Sequence, residues 1–376
     1  MAIDHPEDAL PPGYCLGAYE ILRVLGRGGF GLTYQARRSG VAGDMVAIKE
    51  LYPNNLASRA SDLRIVALPG TDPLHIAGTI EMFLREARVI CNLDHPNIVR
   101  GVDAFEGNGT GYLVMRYISG RNLRDSLRDP TGFQPTPHSL PALLSPLLDA
   151  LQTLHRYDLL HCDIKPDNIF LGVGFEPILI DLGSARWHKQ GGGVEEATTY
   201  SNYFSAIEQW TDRFGRIGPW TDIYQLSAVL YRCVTGGKLP DAVDRAESAE
   251  DPYLPLADIP EVANTYPRPL IDAIDHGLRL LPKHRPQSVT EWRRPIESLL
   301  PRPTPRNQAA PSQPQPAQQA AAPQSASHAQ PPPHATATVR APVKSTPPTG
   351  SAPDILMWIG GILLVLILVI IWNLIA

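Results

Sequence analysis

The stretch Leu160-His161-Cys162-Asp163-Ile164-Lys165-Pro166-Asp167-Asn168-Ile169-Phe170-Leu171, followed by Ile180-Asp181-Leu182-Gly183, constrains the fold of this chain more than any other. A fold that uses it must bring two carboxylates, an amide and a lysine to one place. Asp163 can accept and orient a hydroxyl proton, and Lys165 can set positive charge where charge builds up in a transition state. Asn168 and Asp181 offer hard oxygens of the kind magnesium takes. Base, cation and metal ligand in one loop are the parts that phosphoryl transfer from a nucleotide to a hydroxyl requires. The bland alternative is a polar loop that carries two Asp and an Asn by coincidence, so further elements must appear upstream and in order.

They do. Tyr19 to Leu25 reads as a strand that runs into Gly26-Arg27-Gly28-Gly29-Phe30-Gly31-Leu32-Thr33-Tyr34. Glycines allow a tight hairpin whose backbone amides approach phosphates with no side chain in the way. The same spacing serves dinucleotide folds, but there it opens a helix, and here another strand-like stretch follows. Val46-Ala47-Ile48-Lys49-Glu50 is the next strand, with Lys49 either an exposed strand lysine or a phosphate ligand. Ile80 to Asn92 has the apolar spacing of a helix, with Glu81 and Glu86 both available to pair with Lys49.

These residues resemble the protein-kinase pattern His-Arg-Asp-x-x-x-x-Asn plus Asp-Phe-Gly, with Cys162 in place of Arg and Leu182 in place of Phe. The resemblance is to bacterial eukaryotic-like (Hanks-type) serine/threonine protein kinases and runs over roughly residues 18 to 299. It implies an α+β, two-lobed fold: a small β-rich N-lobe over about 18–115 and a larger helical C-lobe over about 119–299. ATP with magnesium, or manganese as the alternative ion, would lie between the lobes. Asp163, Lys165 and Asn168 would be catalytic, with Asn168 and Asp181 as metal ligands. Leu25, Gly26, Gly28, Gly31, Thr33, Ala47 and Lys49 would hold the nucleotide. Glu86, fixed in register by Leu93-Asp94-His95-Pro96-Asn97, would pair with Lys49, and backbone groups from Arg116 to Ile118 would read the adenine edge beyond a Met115 gatekeeper. Residues 51–79 make the gap from Lys49 to Glu86 long, which implies an insertion or an extra turn of structure.

Other positions fit the same pattern. Leucines 143, 144, 147, 148, 151 and 154 have the spacing of a buried helix beneath the loop. Ser184 to Ser205 has the place and composition of an activation loop, and Ser201 stands where Ser/Thr kinases carry a hydroxyl near the base. Ala206-Ile207-Glu208 resembles Ala-Pro-Glu, with Arg285 as the implied partner of Glu208, and Asp222 is expected to bond the backbone of the catalytic loop. Cys162 cannot bind a phosphorylated loop as Arg does. Activity is therefore expected not to depend on that contact, although Thr198 and Thr199 remain candidate sites of autophosphorylation. The alternative function is a membrane-anchored pseudokinase scaffold, motivated by Cys162, Leu182 and Ile207 and opposed by the retention of Lys49, Glu86, Asp163, Asn168 and Asp181.

Composition bounds the rest. A net charge of -5 gives no basic footprint for nucleic acid; the resemblance implies protein substrates as partners, with self-association for autophosphorylation. The four cysteines form no Cys-x-x-Cys pair, which points to a reducing, cytoplasmic setting for the folded part. Residues 1–17 read as a flexible leader without a signal sequence. From 300 to 353 Pro, Ala and Gln dominate, the composition of a disordered linker whose span would be about 40 Å. Residues 355–376 then read as one transmembrane helix, since roughly 18 to 22 uncharged residues give about 27–33 Å. Trp358 and Trp372 lie near its ends, and Arg340 and Lys344 before it favour an N-terminus-in, single-pass membrane protein.

Overall fold

Strand alternation builds the small lobe and decides which residues reach the cleft. The computed structural model describes residues 8–28, 31–40, 43–182, 186–187 and 203–301, all within one compact unit, Met1–Arg306. The chain opens with β1 (Cys15–Leu16), β2 (Tyr19–Gly28), β3 (Gly31–Arg38) and β4 (Met45–Leu51). Then come β5 (Ala57–Arg59), β6 (Ile65–Ala67), α1 (Pro73–Asn92), β7 (Gly101–Gly107) and β8 (Thr110–Arg116). Six of the strands form an antiparallel sheet in the order β1-β2-β3-β4-β8-β7, and β5 and β6 make a separate hairpin.

Residues opposite each other in antiparallel strands share a face. Thr33, Lys49 and Leu113 form one such row, and Gln35, Ala47 and Met115 another. On this face Leu113 and Met115 join the core that contains Phe83, Leu84 and Ala87 of α1. The opposite parity, Leu32, Tyr34, Ala36, Val46, Ile48, Tyr112 and Val114, builds a second core. That core is closed by Ala9, Leu10 and Leu16 and by Tyr52, Ala57 and Ile65.

Two expectations are corrected here. Residues 8–17 are not a flexible leader: Leu10 is fully buried, its N–H donates to the Tyr34 hydroxyl at 3.1 Å, and Cys15–Leu16 pairs with β2. An apolar sheet face needs a cover, and this segment supplies part of it. The segment 51–79 holds the β5–β6 hairpin and the first turns of α1, the inserted structure its length implied, and only the start of the helix is corrected. That helix starts at Pro73 rather than Ile80, because Asp72 accepts the Leu74 N–H at 2.9 Å and proline suits the first helical position.

The large lobe follows with β9 (Arg121–Asn122), α2 (Leu123–Arg128), α3 (Ser139–Arg156), β10 (Leu159–Leu160), β11 (Ile169–Leu171), β12 (Pro177–Leu179) and β13 (Arg186–Trp187). It ends with α4 (Ile207–Trp210), α5 (Pro219–Thr235), α6 (Ala242–Glu247), α7 (Pro260–Ala263), α8 (Arg268–Gly277) and α9 (Val289–Arg293). The six leucines of α3 named above are buried, as their spacing requires, and α3 leads through β10 into the loop around Asp163. The antiparallel pair β11–β12 then sets Asn168 at its start and Asp181 at its end.

The expected activation-loop hydroxyls Thr198, Thr199 and Ser201 lie outside the described residues, as does Gly183. So do the expected linker from residue 302 onward and the expected transmembrane helix over 355–376. Among the described residues no helix is long and apolar enough to cross a membrane.

Candidate active site

The loop after β10 brings its polar side chains together as its sequence requires. Lys165 donates to both carboxylate oxygens of Asp163, at 3.0 and 2.7 Å, and Asn168 Nδ2 donates to Asp163 Oδ2 and to the Asp163 carbonyl, each at 2.8 Å. The Asp163 side chain is only 16% exposed. Burial raises its carboxyl above the ordinary range, and the opposing pull of Lys165 and His161 does not cancel that rise. A carboxylate held this way is a stronger base toward a hydroxyl than a solvated one. The loop is tied to the segment bearing Asp181 by two bonds: Ile180 N–H to the Asn168 carbonyl at 2.9 Å, and a His161 Nε2 contact with the Ile180 carbonyl at 3.2 Å.

Across the cleft Lys49 makes an ion pair with Asp181. That differs from the expected pairing: the ion-pair partner of Lys49 is Asp181, while Glu86 sits half-buried on α1. Lys49 therefore links β4 of the small lobe to the segment after β12 in the large one. Asp181 has φ of 61° and Cys162 of 60°, left-handed values that cost a residue with a side chain about 1–3 kcal/mol and that concentrate at functional sites.

The row expected to face the nucleotide is partly exposed, as a cleft wall must be. Leu25, Gly26, Thr33 and Ala47 are half-buried, with Gly26 opposite Thr33 in the β2–β3 hairpin, and Met115 lies buried beside Ala47. A Cβ at Gly26 or Gly28 would meet nothing within 4 Å, so the hairpin leaves open space there. Gly31 has a different reason to be glycine: a Cβ would stand 1.9 Å from the Glu50 carbonyl oxygen. At the end of β8, Arg116 N–H is already committed to the Arg100 carbonyl at 2.9 Å, so the group it can offer a base edge is its carbonyl. Ile118 follows, half-buried against the main core.

Three buried polar groups hold this arrangement. Asp222, fully buried, accepts the N–H of His161 at 3.0 Å, the N–H of Cys162 at 2.9 Å and a bond from His155 at 2.7 Å. Burial pushes its carboxyl up, but His155, His161 and the Cys162 N–H outweigh it and the carboxyl titrates below the ordinary range. Glu208 and Arg285 form the expected pair, bidentate at 2.7 and 3.1 Å with both side chains 0% exposed, so neither charge lacks its partner.

The third group was not singled out in the sequence. Glu50, adjacent to Lys49 but on the opposite face of β4, is fully buried and accepts from Tyr34 at 2.6 Å, Tyr112 at 2.7 Å and Arg59 at 2.5 Å. Its parity with Val46 and Ile48 was the available signal. Gln209 and Gln225, both 1% exposed beside the catalytic loop, were also missed; the signal was a pair of amides in otherwise apolar packing.

The donor set fits ATP with a divalent ion. Magnesium takes one or two protein oxygens and completes its shell with phosphates and water, which matches Asn168 and Asp181 near a lysine and open glycines. Among the described residues no group of three or more His, Cys, Asp or Glu offers an all-protein cage instead.

With a strand-rich small lobe, a helical large lobe and these groups at their junction, the chain has the fold and site of a protein kinase. The model for the protein kinase domain matches residues 19–293, and the chain belongs to that family. The serine/threonine-protein kinase pkn2 of Myxococcus xanthus is 29% identical over 294 residues, covering 73% of this chain and 31% of that protein. Serine/threonine-protein kinase PknD of Mycobacterium tuberculosis is 31% identical over 250 residues, covering 64% of this chain and 34% of the other. The chain thus spans about a third of the length of these curated relatives. Among solved structures, the PpkA-294 apo form matches with 33% identity and a TM-score of 0.66, over 77% of this chain and all of that one. The kinase domain of Mycobacterium tuberculosis PknI, 22% identical with a TM-score of 0.56, shares the fold.

Proposed function

We propose that this chain is an ATP-dependent serine/threonine protein kinase, tethered to a membrane by residues 355–376, that phosphorylates protein hydroxyls on the cytoplasmic side. The observation that carries this reading is the joined set Asp163, Lys165 and Asn168, with Asp181 held across the cleft by Lys49. Asp163 orients the substrate hydroxyl and takes its proton, and Lys165 offsets negative charge on the group in transit. Asn168 and Asp181 would hold magnesium, or manganese in its place, which supplies charge neutralisation on the phosphates. Lys49 would steady the phosphates beside Asp181, and Thr33, Ala47 and Leu25 would pack the base.

The departures from the family pattern do not favour a scaffold. Leu182 and Ile207 are 2% and 1% exposed core residues, so they replace one apolar contact by another, and the neighbours of the Cys162 backbone are intact. Cys162 does remove the usual basic partner of a phosphorylated loop, so the Thr198→Ala, Thr199→Ala double variant should keep most of its activity. The tether rests on the uncharged run with tryptophans near its ends. The four free cysteines agree with a reducing compartment for the kinase lobes.

The test is incubation of the purified chain with labelled ATP and magnesium, followed by phosphoamino-acid analysis. Label on serine or threonine supports the kinase. Nucleotide binding without transfer to itself or to any added protein substrate would favour the scaffold. Deleting residues 355–376 should move the protein from the membrane to the soluble fraction.

A further inference from the structure

Asp163 is flanked by two peptide units, and one side chain holds both. Gln225 Nε2 donates to the Cys162 carbonyl at 2.9 Å, and the Ile164 N–H donates to Gln225 Oε1 at 2.9 Å. Gln225 comes from α5, one turn beyond Asp222, which holds the preceding N–H groups. A second amide completes the clamp. Gln209 Nε2 donates to the same Cys162 carbonyl at 2.8 Å, while its Oε1 accepts from Gln225 Nε2 at 2.9 Å and from the Ala206 N–H at 2.9 Å.

Every polar atom of the two amides is engaged, and both side chains are 1% exposed. Their orientation is fixed by chemistry: an amide flipped at either position would set a donor against an N–H and an acceptor against a carbonyl. Cys162 is also left-handed at φ of 60°, a conformation that needs its surroundings to hold it. Gln209 sits in α4 directly after Glu208, so it joins the carbonyl before Asp163 to the segment that ends the activation loop.

We propose that Gln209 and Gln225 are positioning residues for the transfer step: they aim Asp163 by fixing the peptide units on either side of it. They also couple that aim to the 206–208 segment. The proposal rests on the reading of Asp163 as the group that orients the hydroxyl. Among the described residues neither glutamine bonds to the row of β2, β3 and β4, so their loss acts on the chemical step rather than on ATP binding.

Gln225→Met and Gln209→Met keep side-chain length and remove the bonds. Each should lower kcat about 10- to 100-fold, the range expected when a catalytic group is misplaced by about 1 Å. The KM for ATP and direct nucleotide affinity should stay within about twofold. Because the amides share one carbonyl, the double variant should lose less than the product of the two single losses. Tyr253→Phe, which removes a hydroxyl bond to Asp275 far along the chain from the loop, serves as a stability control and should leave kcat unchanged. Should the methionine variants not fold, Gln225→Asn and Gln209→Asn keep the amide but shorten its reach, and the same pattern is expected of them.

The inference is overturned if kcat stays within twofold of the parent, if nucleotide affinity falls in step with kcat, or if the losses track the folded fraction as in the control. Asp163→Asn is run alongside. Full activity in that variant would overturn the reading of the base itself; its inactivity, with the glutamine variants unaffected, would overturn only the clamp.

Discussion

Arg59→Met tests how the small lobe is held together. Arg59 is 3% exposed and Glu50 0%, so their 2.5 Å ion pair is desolvated on both sides. Burial works against the charge on Arg59, yet the pull of Glu50 raises its pKa above the ordinary value, so the guanidinium stays charged inside. Removing the cation strands a carboxylate whose other partners are the Tyr34 and Tyr112 hydroxyls, and breaking a buried pair from one side costs about 3–5 kcal/mol. Arg59 also donates to the carbonyls of Asp8 at 2.5 Å and Leu63 at 2.9 Å, so the upper end of that range is expected. For a domain of this size the loss corresponds to a fall in Tm of about 6–20 °C. The assay is thermal and urea denaturation followed by circular dichroism, with Glu50→Gln and the double variant beside it. Removing both charges should restore a large part of the loss, because a neutral pair does not carry the desolvation cost. A loss below about 1 kcal/mol for Arg59→Met, or strict additivity in the double variant, would refute the reasoning.

Further outcomes follow from the same physics. Asp163 is raised above its ordinary 3.8 by burial, so transfer should fall as pH drops through a value above 3.8, and an acid limb at or below 3.8 in a kcat profile would contradict its role as base. Asp222 is depressed instead: its contribution to stability is present above the ordinary carboxylate range and lost as pH falls through the lower folded value. Asp222→Asn should therefore flatten the acid side of a stability-against-pH curve. Arg285→Met should cost about 3–5 kcal/mol by leaving Glu208 buried without its cation, measured by urea midpoint at unchanged slope. Leu10→Ala should cost about 2–5 kcal/mol, which a flexible leader could not show.

The site was largely legible because its chemistry is local. Asp163, Lys165 and Asn168 lie on one loop, and Asp181 follows across a tight antiparallel pair, so short-range spacing sufficed. The buried roles of Glu208, Asp222 and Arg285 were legible only through the resemblance, since nothing local shows which distant element a charge will meet. The ion-pair partner of Lys49 was not legible: a choice between Glu86 and Asp181 depends on where α1 and the two lobes settle, which no local pattern encodes. The leader was misread, and the form of the 51–79 insertion left unread, for a related reason. Their few apolar residues, Leu10, Ala57 and Ile65, look insufficient for a core alone and become core only against the face of a sheet formed elsewhere. The start of α1 at Asp72-Pro73 was there to be read, as cap residue and first-turn proline.

The central claim is that Asp163 performs transfer on a nucleotide held by other residues. The most direct measurement is transfer of label from ATP by the purified chain carrying Asp163→Ala, beside its nucleotide affinity and a Lys49→Met variant. Transfer should vanish in both variants, while nucleotide affinity is kept with Asp163→Ala. Full transfer by Asp163→Ala would contradict the account.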